Sequence, residues 1–223
     1  MTRPYLIFLA GCLALLCALP LPGQTQPQDT IGVITRNLLD QAARRTDPAR
    51  VKAEALRWSE RLSADGSWSD LDYDTRSRGS WDPARHLQRT VAMARACMPD
   101  VGSTPQLSAN VEKAGGFWIN RKPEPRSDNW WFETIGIPQD AGSILLFMQQ
   151  SPTPLSDAGV NGLLRWMKKG RTIESQASTE LVRILNIGRH YILRGCVTGD
   201  ESLIRQAAEH VDRMLQPEAG YSG

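Results

Sequence analysis

The sequence predicts an all-α fold. Apolar residues recur at three- and four-residue spacings along most of the chain, as in Ile31, Ile34 and Leu38, which places them on one face of a helix. Asp-Pro pairs at residues 47–48 and 82–83 combine an N-cap residue with a proline in the first turn, which is a start signal for a helix. Sustained alternation of apolar and polar residues is missing from the sequence, so a β-sheet is not expected.

Eight helices are predicted along the chain. The first, over residues 29–45, carries the apolar face just described. The second, over residues 48–64, places Val51, Ala55 and Trp58 on one stripe, so Trp58 is expected in the core. The other six are predicted over residues 82–97, 106–120, 139–150, 156–168, 178–194 and 201–215.

Two loops between these helices are unusual. Residues 64–81 mix turn-forming residues with aromatic ones over more positions than a simple connection needs. Residues 122–128 contain two prolines, which restrict the backbone without burying much surface. Both loops are therefore candidates for a functional role on a helical scaffold.

Residues 1–23 are predicted to be a secretory signal peptide, followed by one helical domain over residues 24–223. Arg3 precedes an apolar run over residues 6–19, and Pro20, Pro22 and Gly23 then break it. The apolar run is too short for a membrane span. We expect no stable membrane insertion once the signal peptide is removed. A lipoprotein processing site ending at Cys12 is the alternative, but apolar sequence continues beyond it. We expect a secreted or periplasmic protein.

Removal of the signal leaves two cysteines and a nearly neutral chain. Cys97 and Cys196 either form one disulfide in an oxidising compartment or remain as two buried thiols. Without Arg3, 25 basic residues face 24 acidic ones, which argues against a dedicated nucleic-acid binder.

Two adjacent tryptophans, Trp130 and Trp131, form the segment most indicative of function. Neighbouring side chains on a helix diverge by about 100°, so both indoles cannot enter one core, and at least one is expected to be displayed. A displayed indole can stack on a sugar ring, while Asn129 can hydrogen-bond the hydroxyls. The alternative is that both are core residues on either side of a loop. Gly136 and Pro138 are expected to stop the helix here.

The chain resembles the N-terminal helical domain of the polysaccharide lyases that include hyaluronate, chondroitin AC and xanthan lyases. The resemblance spans essentially the whole mature chain and rests on segments in a fixed order: residues 65–73, Trp81, residues 86–89, 129–131, 135–138 and 193–195. It implies an incomplete α/α toroid of antiparallel helix pairs whose cleft binds an acidic polysaccharide. Complete members continue into large C-terminal β-sandwich domains, which this chain lacks. The toroid itself is expected to be truncated, because the chain stops about where the family's histidine-bearing segment would begin.

The resemblance also implies a reaction, β-elimination at a uronic acid. Such a site must neutralise the carboxylate and supply a base. Family members use an asparagine for the first role and a histidine with a tyrosine for the second, without a metal or organic cofactor. Among the substrate-binding residues, Trp130 and Trp131 match the family's aromatic patch, which positions the sugar chain, and Asn129 matches the asparagine that precedes it.

The catalytic residues match less well. Arg183 stands where the family has its asparagine; it either pairs with a carboxylate or is an ordinary solvated helix residue, and Asn186 is a weaker substitute. The family's histidine and tyrosine would lie beyond the chain end. His86, His190 and His210 do not match that position and are expected to be structural. The chain is therefore expected to be inactive alone.

Three functions remain open from the sequence. The first is the substrate-binding part of an exported polysaccharide lyase. The second is a carbohydrate-binding helical domain without catalysis, which the Arg183 substitution favours. The third is a helical interaction protein in which all the aromatic residues are packing residues.

Overall fold

The computed structural model describes residues 29–44, 47–173 and 181–215, and every regular element in these ranges is helical. This confirms the all-α prediction. The elements, in chain order, are α1 (Thr30–Arg44), α2 (Pro48–Glu60), α3 (Asp82–Ala96), α4 (Pro105–Asn120), a π-helical turn (Phe132–Gly136), α5 (Ile137–Met148), α6 (Asp157–Met167), α7 (Leu181–Thr198) and α8 (Glu201–Leu215).

Side-chain caps explain several helix starts. The carboxylate of Asp47 accepts a hydrogen bond from the Ala49 N–H at 3.1 Å, and Pro48 occupies the first turn of α2. Ser156 caps α6 in the same way. Asp82 differs from the prediction because it lies inside α3, where its carboxylate accepts from the backbone N–H of Asp72 in the preceding loop. These bonds satisfy N–H groups that have no partner within a helix.

α2 is shorter than predicted, and Trp58 is not in the core. The helix ends at Glu60 because the chain then turns through Gly66, whose φ is +89°. A Cβ on Gly66 would lie 2.4 Å from the Lys113 carbonyl oxygen, so the loop is seated directly on α4. Trp58 is only half-buried, and the guanidinium groups of Arg57 and Arg89 lie 4.3 and 4.2 Å from its ring centroid.

The described chain divides into two compact units. The first comprises Ala42–Gly170, in which α3 contacts α2, α4 and α5, and α6 contacts α4 and α5. The second contains described residues 29–41, 171–173 and 181–215; there α7 and α8 pack on each other across a two-residue connection, around a core that includes Ile184, Leu185 and Val211. Such a short connection reverses the chain, as expected for an antiparallel helix pair.

The remaining general predictions concern the cysteines and the membrane. Of the two possibilities for Cys97 and Cys196, a disulfide or two buried thiols, the structure has two buried free thiols. Burial raises the pKa of both thiols. Within the ranges described, none of the helices has the length and apolar character needed to cross a bilayer.

Candidate carbohydrate-binding site

The segment that carries the two tryptophans is helical and continuous with α5. The helical backbone runs from Trp130 through the π-helical turn to Met148, so the expectation that Gly136 and Pro138 stop the helix is wrong. The Ile137 N–H bonds the Phe132 carbonyl, five residues back. Pro138 is tolerated because it lies in the first turn of α5, where the bonding register changes and its missing N–H disrupts little.

Asn129 starts this segment and ties it to the 64–81 loop. Its Oδ1 accepts from the Trp131 N–H at 3.1 Å, and its Nδ2 donates to the Arg78 carbonyl at 3.0 Å. Ser127 Oγ accepts from the Asn129 N–H and donates to the Ser77 carbonyl. An amide has two N–H groups and two lone pairs on its oxygen, so Asn129 retains capacity for another hydrogen bond after these two.

The two indoles have different environments. Trp130 is 39% exposed, so one of the pair is displayed, as the angular argument requires. Trp131 is partly buried, and its ring covers Gly136, where a Cβ would lie 2.8 Å from the indole Cζ3. The absence of a side chain at Gly136 therefore lets the Trp131 ring lie against the helix.

A series of aromatic rings continues inward from Trp131. The centroid of the Trp131 ring is 5.5 Å from that of the Phe132 ring, and the Phe132 centroid is 5.4 Å from that of Trp81. Trp81 packs edge-on against Trp118 at 6.4 Å, and both are fully buried. Such ring pairs add stability beyond the area that they bury, so this series anchors the Trp131 segment to the core of Ala42–Gly170.

The 64–81 loop is held by a buried hydrogen-bond series. His86 Nε2 lies 2.9 Å from the Ala114 carbonyl oxygen, which can only accept, so Nε2 carries the proton. His86 Nδ1 then accepts from the Tyr73 hydroxyl at 2.9 Å, and that hydroxyl accepts from the Trp68 N–H. Burial lowers the pKa of His86 to about 4 and raises the pKa of Tyr73 to about 12. His86 is therefore neutral at pH 7 and holds the loop through hydrogen bonds at both ring nitrogens.

An ion pair fixes the same loop to α3. Arg89 is 4% exposed and donates two hydrogen bonds of 2.7 Å to the two carboxylate oxygens of Asp70. The hydrogen bond from Arg89 lowers the pKa of Asp70 to about 2. A bidentate pair of this kind adds directional hold as well as attraction.

The two unusual loops meet along a cavity of about 390 Å³. Its walls come from residues 73–76 and 122–126. The Asp128 N–H donates to the Arg76 carbonyl at 3.0 Å beside it, and the side chains of the same two residues form an ion pair at 2.8 Å. The cavity therefore borders the segment that leads into Asn129 and Trp130.

The structure places the other candidate residues in α7. Arg183 lies in its first turn, with its side chain outside the described residues, and Asn186 is half-buried one turn later. Asn129, Trp130 and Trp131 are brought together in Ala42–Gly170, whereas α7 belongs to the other compact unit.

The remaining two histidines are buried in α7 and α8. His190 and His210 are 3% and 5% exposed. Burial lowers the pKa of His190 to about 4. Its neighbour Tyr191 is also buried, and the Tyr191 hydroxyl accepts from the Ile173 N–H.

Tyr73 and Arg76 line the cavity although no motif in the sequence marks them as binding residues. The sequence indicates both loops and the basic residues Lys122 and Arg126. It does not indicate that the two loops pair, because the pairing depends on hydrogen bonds between residues about 50 positions apart, such as Asn129 to Arg78. The described residues contain no cluster of three or more His, Cys, Asp or Glu side chains that could hold a metal ion.

Comparison with known proteins gives the family. The model of the N-terminal alpha-helical domain of polysaccharide lyase family 8 matches residues 33–219, and the chain belongs to this family. It is 28% identical over 153 residues to chondroitinase-AC of Pedobacter heparinus, an alignment that covers 67% of this chain and 21% of that protein.

Solved structures agree. A chondroitinase AC lyase, known from enzyme-oligosaccharide complexes and mutagenesis, matches with a TM-score of 0.73 and 25% identity over 83% of this chain and 27% of the other. Chondroitin AC lyase of Streptomyces coelicolor A3, in complex with chondroitin sulphate, matches with a TM-score of 0.60 over 95% of this chain and 27% of the other. At 14% identity, the second match shows the fold alone. The chain thus spans about a fifth to a quarter of the length of these proteins.

Proposed function

We propose that this chain is the substrate-binding helical domain of an exported polysaccharide lyase that cleaves a uronic-acid-containing polysaccharide by β-elimination. Membership of family 8 and the likeness to chondroitinase AC support the lyase class. The observation that carries the binding role is Trp130, which is 39% exposed and directly precedes the partly buried Trp131. An exposed indole suits a sugar ring, whose C–H face is flat and apolar.

In this proposal, Trp130 stacks on a sugar residue while Trp131 supports the turn from which it projects. The remaining hydrogen-bond capacity of Asn129 orients a hydroxyl or a carboxylate of the same chain. Arg183 or Asn186 neutralises the uronate carboxylate, which makes the neighbouring C–H more acidic. The base that removes this proton is not assigned to any of the described residues.

Binding is tested by titrating the chain with size-defined hyaluronan, chondroitin, xanthan and alginate. Trp130→Ala should weaken binding by roughly 1–3 kcal/mol, a range taken from stacking of flat rings on aromatic side chains. Leu56→Ala is the matched control, since Leu56 is 38% exposed on α2 and should leave affinity unchanged. Equal affinities for wild type and Trp130→Ala would refute the stacking role.

Cleavage and export have separate readouts. Ultraviolet absorbance of unsaturated uronic acid products reports elimination directly. Mass spectrometry of the N-terminus of the exported protein tests whether processing occurs near residue 23.

A further inference from the structure

The loop cavity combines an apolar wall with a group of basic side chains. The Tyr73 ring, Pro123 and Pro125 line it together with Arg76 and the two basic residues of the second loop. Its volume of about 390 Å³ falls within the range of small-molecule sites. The Tyr73 hydroxyl is occupied by His86, so this ring wall is fixed in place.

The acidic groups of the cavity are already neutralised. Asp74 pairs with Arg121 at 2.6 Å, and Glu124 accepts a short hydrogen bond from Lys169. Arg126 is exposed and forms no ion pair with any residue that the structure describes. The charged residues that line the cavity and their ion-pair partners together comprise five basic and three acidic residues. The basic ones are Arg76, Arg121, Lys122, Arg126 and Lys169, and the acidic ones are Asp74, Glu124 and Asp128, so the excess is two positive charges.

The cavity is also close to the displayed indole along the chain. Arg76 lines the cavity and pairs with Asp128, which immediately precedes Asn129 and Trp130. The Cα atoms of Arg126 and Trp130 are at most about 14 Å apart, because four residues of fully extended chain reach no further. One oligosaccharide can therefore contact both places.

We propose that this cavity is a separate anion subsite, which holds the carboxylate or sulfate of one acidic sugar while another residue of the same polysaccharide stacks on Trp130. The inference rests on the proposed function and adds a second contact to it. Guanidinium and ammonium groups hold an oxyanion by charge-assisted hydrogen bonds, and Arg126 has its five N–H donors available. Pro123, which is exposed and lines the cavity, accommodates the apolar face of the sugar.

The test uses oligosaccharides of equal length from hyaluronan, desulfated chondroitin and chondroitin sulfate. Affinities are measured at low and high salt for wild type, Arg126→Gln and Lys122→Gln. Each variant should bind about three- to tenfold more weakly at low salt, and the loss should shrink as salt screens the charge. A loss on all three ligands identifies the carboxylate, whereas a loss on chondroitin sulfate alone identifies the sulfate.

The controls separate this subsite from general charge and from the stacking role. Arg50→Gln removes one exposed positive charge that does not line the cavity, and it should bind as wild type. If Arg50→Gln loses as much as Arg126→Gln, attraction is unspecific and the subsite is wrong. If Trp130→Ala weakens binding while both cavity variants match wild type, the subsite is wrong and the stacking function stands. If wild type binds none of the three ligands, the proposed function fails and the subsite with it.

Discussion

Acidification from pH 7 to pH 5 is expected to destabilise the Ala42–Gly170 unit through one buried histidine. His86 is fully buried, and burial lowers its pKa to about 4, whereas an unfolded chain restores the ordinary value of about 6.5. Between these two values the unfolded state binds more protons than the folded state. The free energy of unfolding therefore rises with pH across this window and falls on acidification. The loss should be about 2 kcal/mol between pH 7 and pH 5, and on the order of 3 kcal/mol in full.

Urea unfolding followed by tryptophan fluorescence isolates this effect. All seven tryptophans, from Trp58 to Trp166, lie in Ala42–Gly170, so the signal reports on that unit. His86 is the only one of the three histidines in it, since His190 and His210 belong to the other unit. Asp70 has a lowered pKa, so its contribution is complete above about pH 4 and is lost only below the window.

His86→Gln provides the matched comparison. Glutamine does not titrate, so this variant should be less stable at pH 7 but should show a much smaller change between pH 7 and pH 5. A wild-type free energy of unfolding that is the same at both pH values would refute the argument. A variant that retains the full pH response would show that another group causes it.

Three further substitutions test the local packing by urea unfolding at pH 7. Gly136→Ala should cost about 1–3 kcal/mol and change the fluorescence, because its Cβ would meet the Trp131 ring; unchanged stability would mean that the ring moves freely. Asp70→Asn should cost about 1–3 kcal/mol, because it leaves the buried Arg89 guanidinium without its carboxylate. This range is reduced because the Asp70 side chain is 37% exposed to solvent. An unchanged free energy of unfolding would show that solvent replaces the ion pair. Trp58→Ala should cost about 1–3 kcal/mol, less than the 3–5 kcal/mol of a buried aromatic, and a larger loss would restore the core assignment.

The binding segment was only partly predictable from the sequence. The choice of Asn129, Trp130 and Trp131 follows from their residue types and from the family resemblance, and the display of one indole follows from helical geometry. The continuation of the helix through Gly136 and Pro138 did not follow, since the π-helical turn depends on a five-residue hydrogen bond and on the Trp131 ring packing over Gly136. The helix propensities of the individual residues reflect neither of these contacts.

The sequence by itself determined the helical class, most helix starts and the family resemblance, because apolar periodicity, N-caps and short ordered motifs are all local properties. The tertiary structure alone decided that Trp58 lies among guanidinium groups outside the core and that Tyr73 bonds His86. It also decided that residues 73–76 and 122–126 enclose a cavity. These outcomes depend on side chains and backbone groups brought together from positions far apart in the chain, and their joint geometry is not encoded in the spacing of either segment.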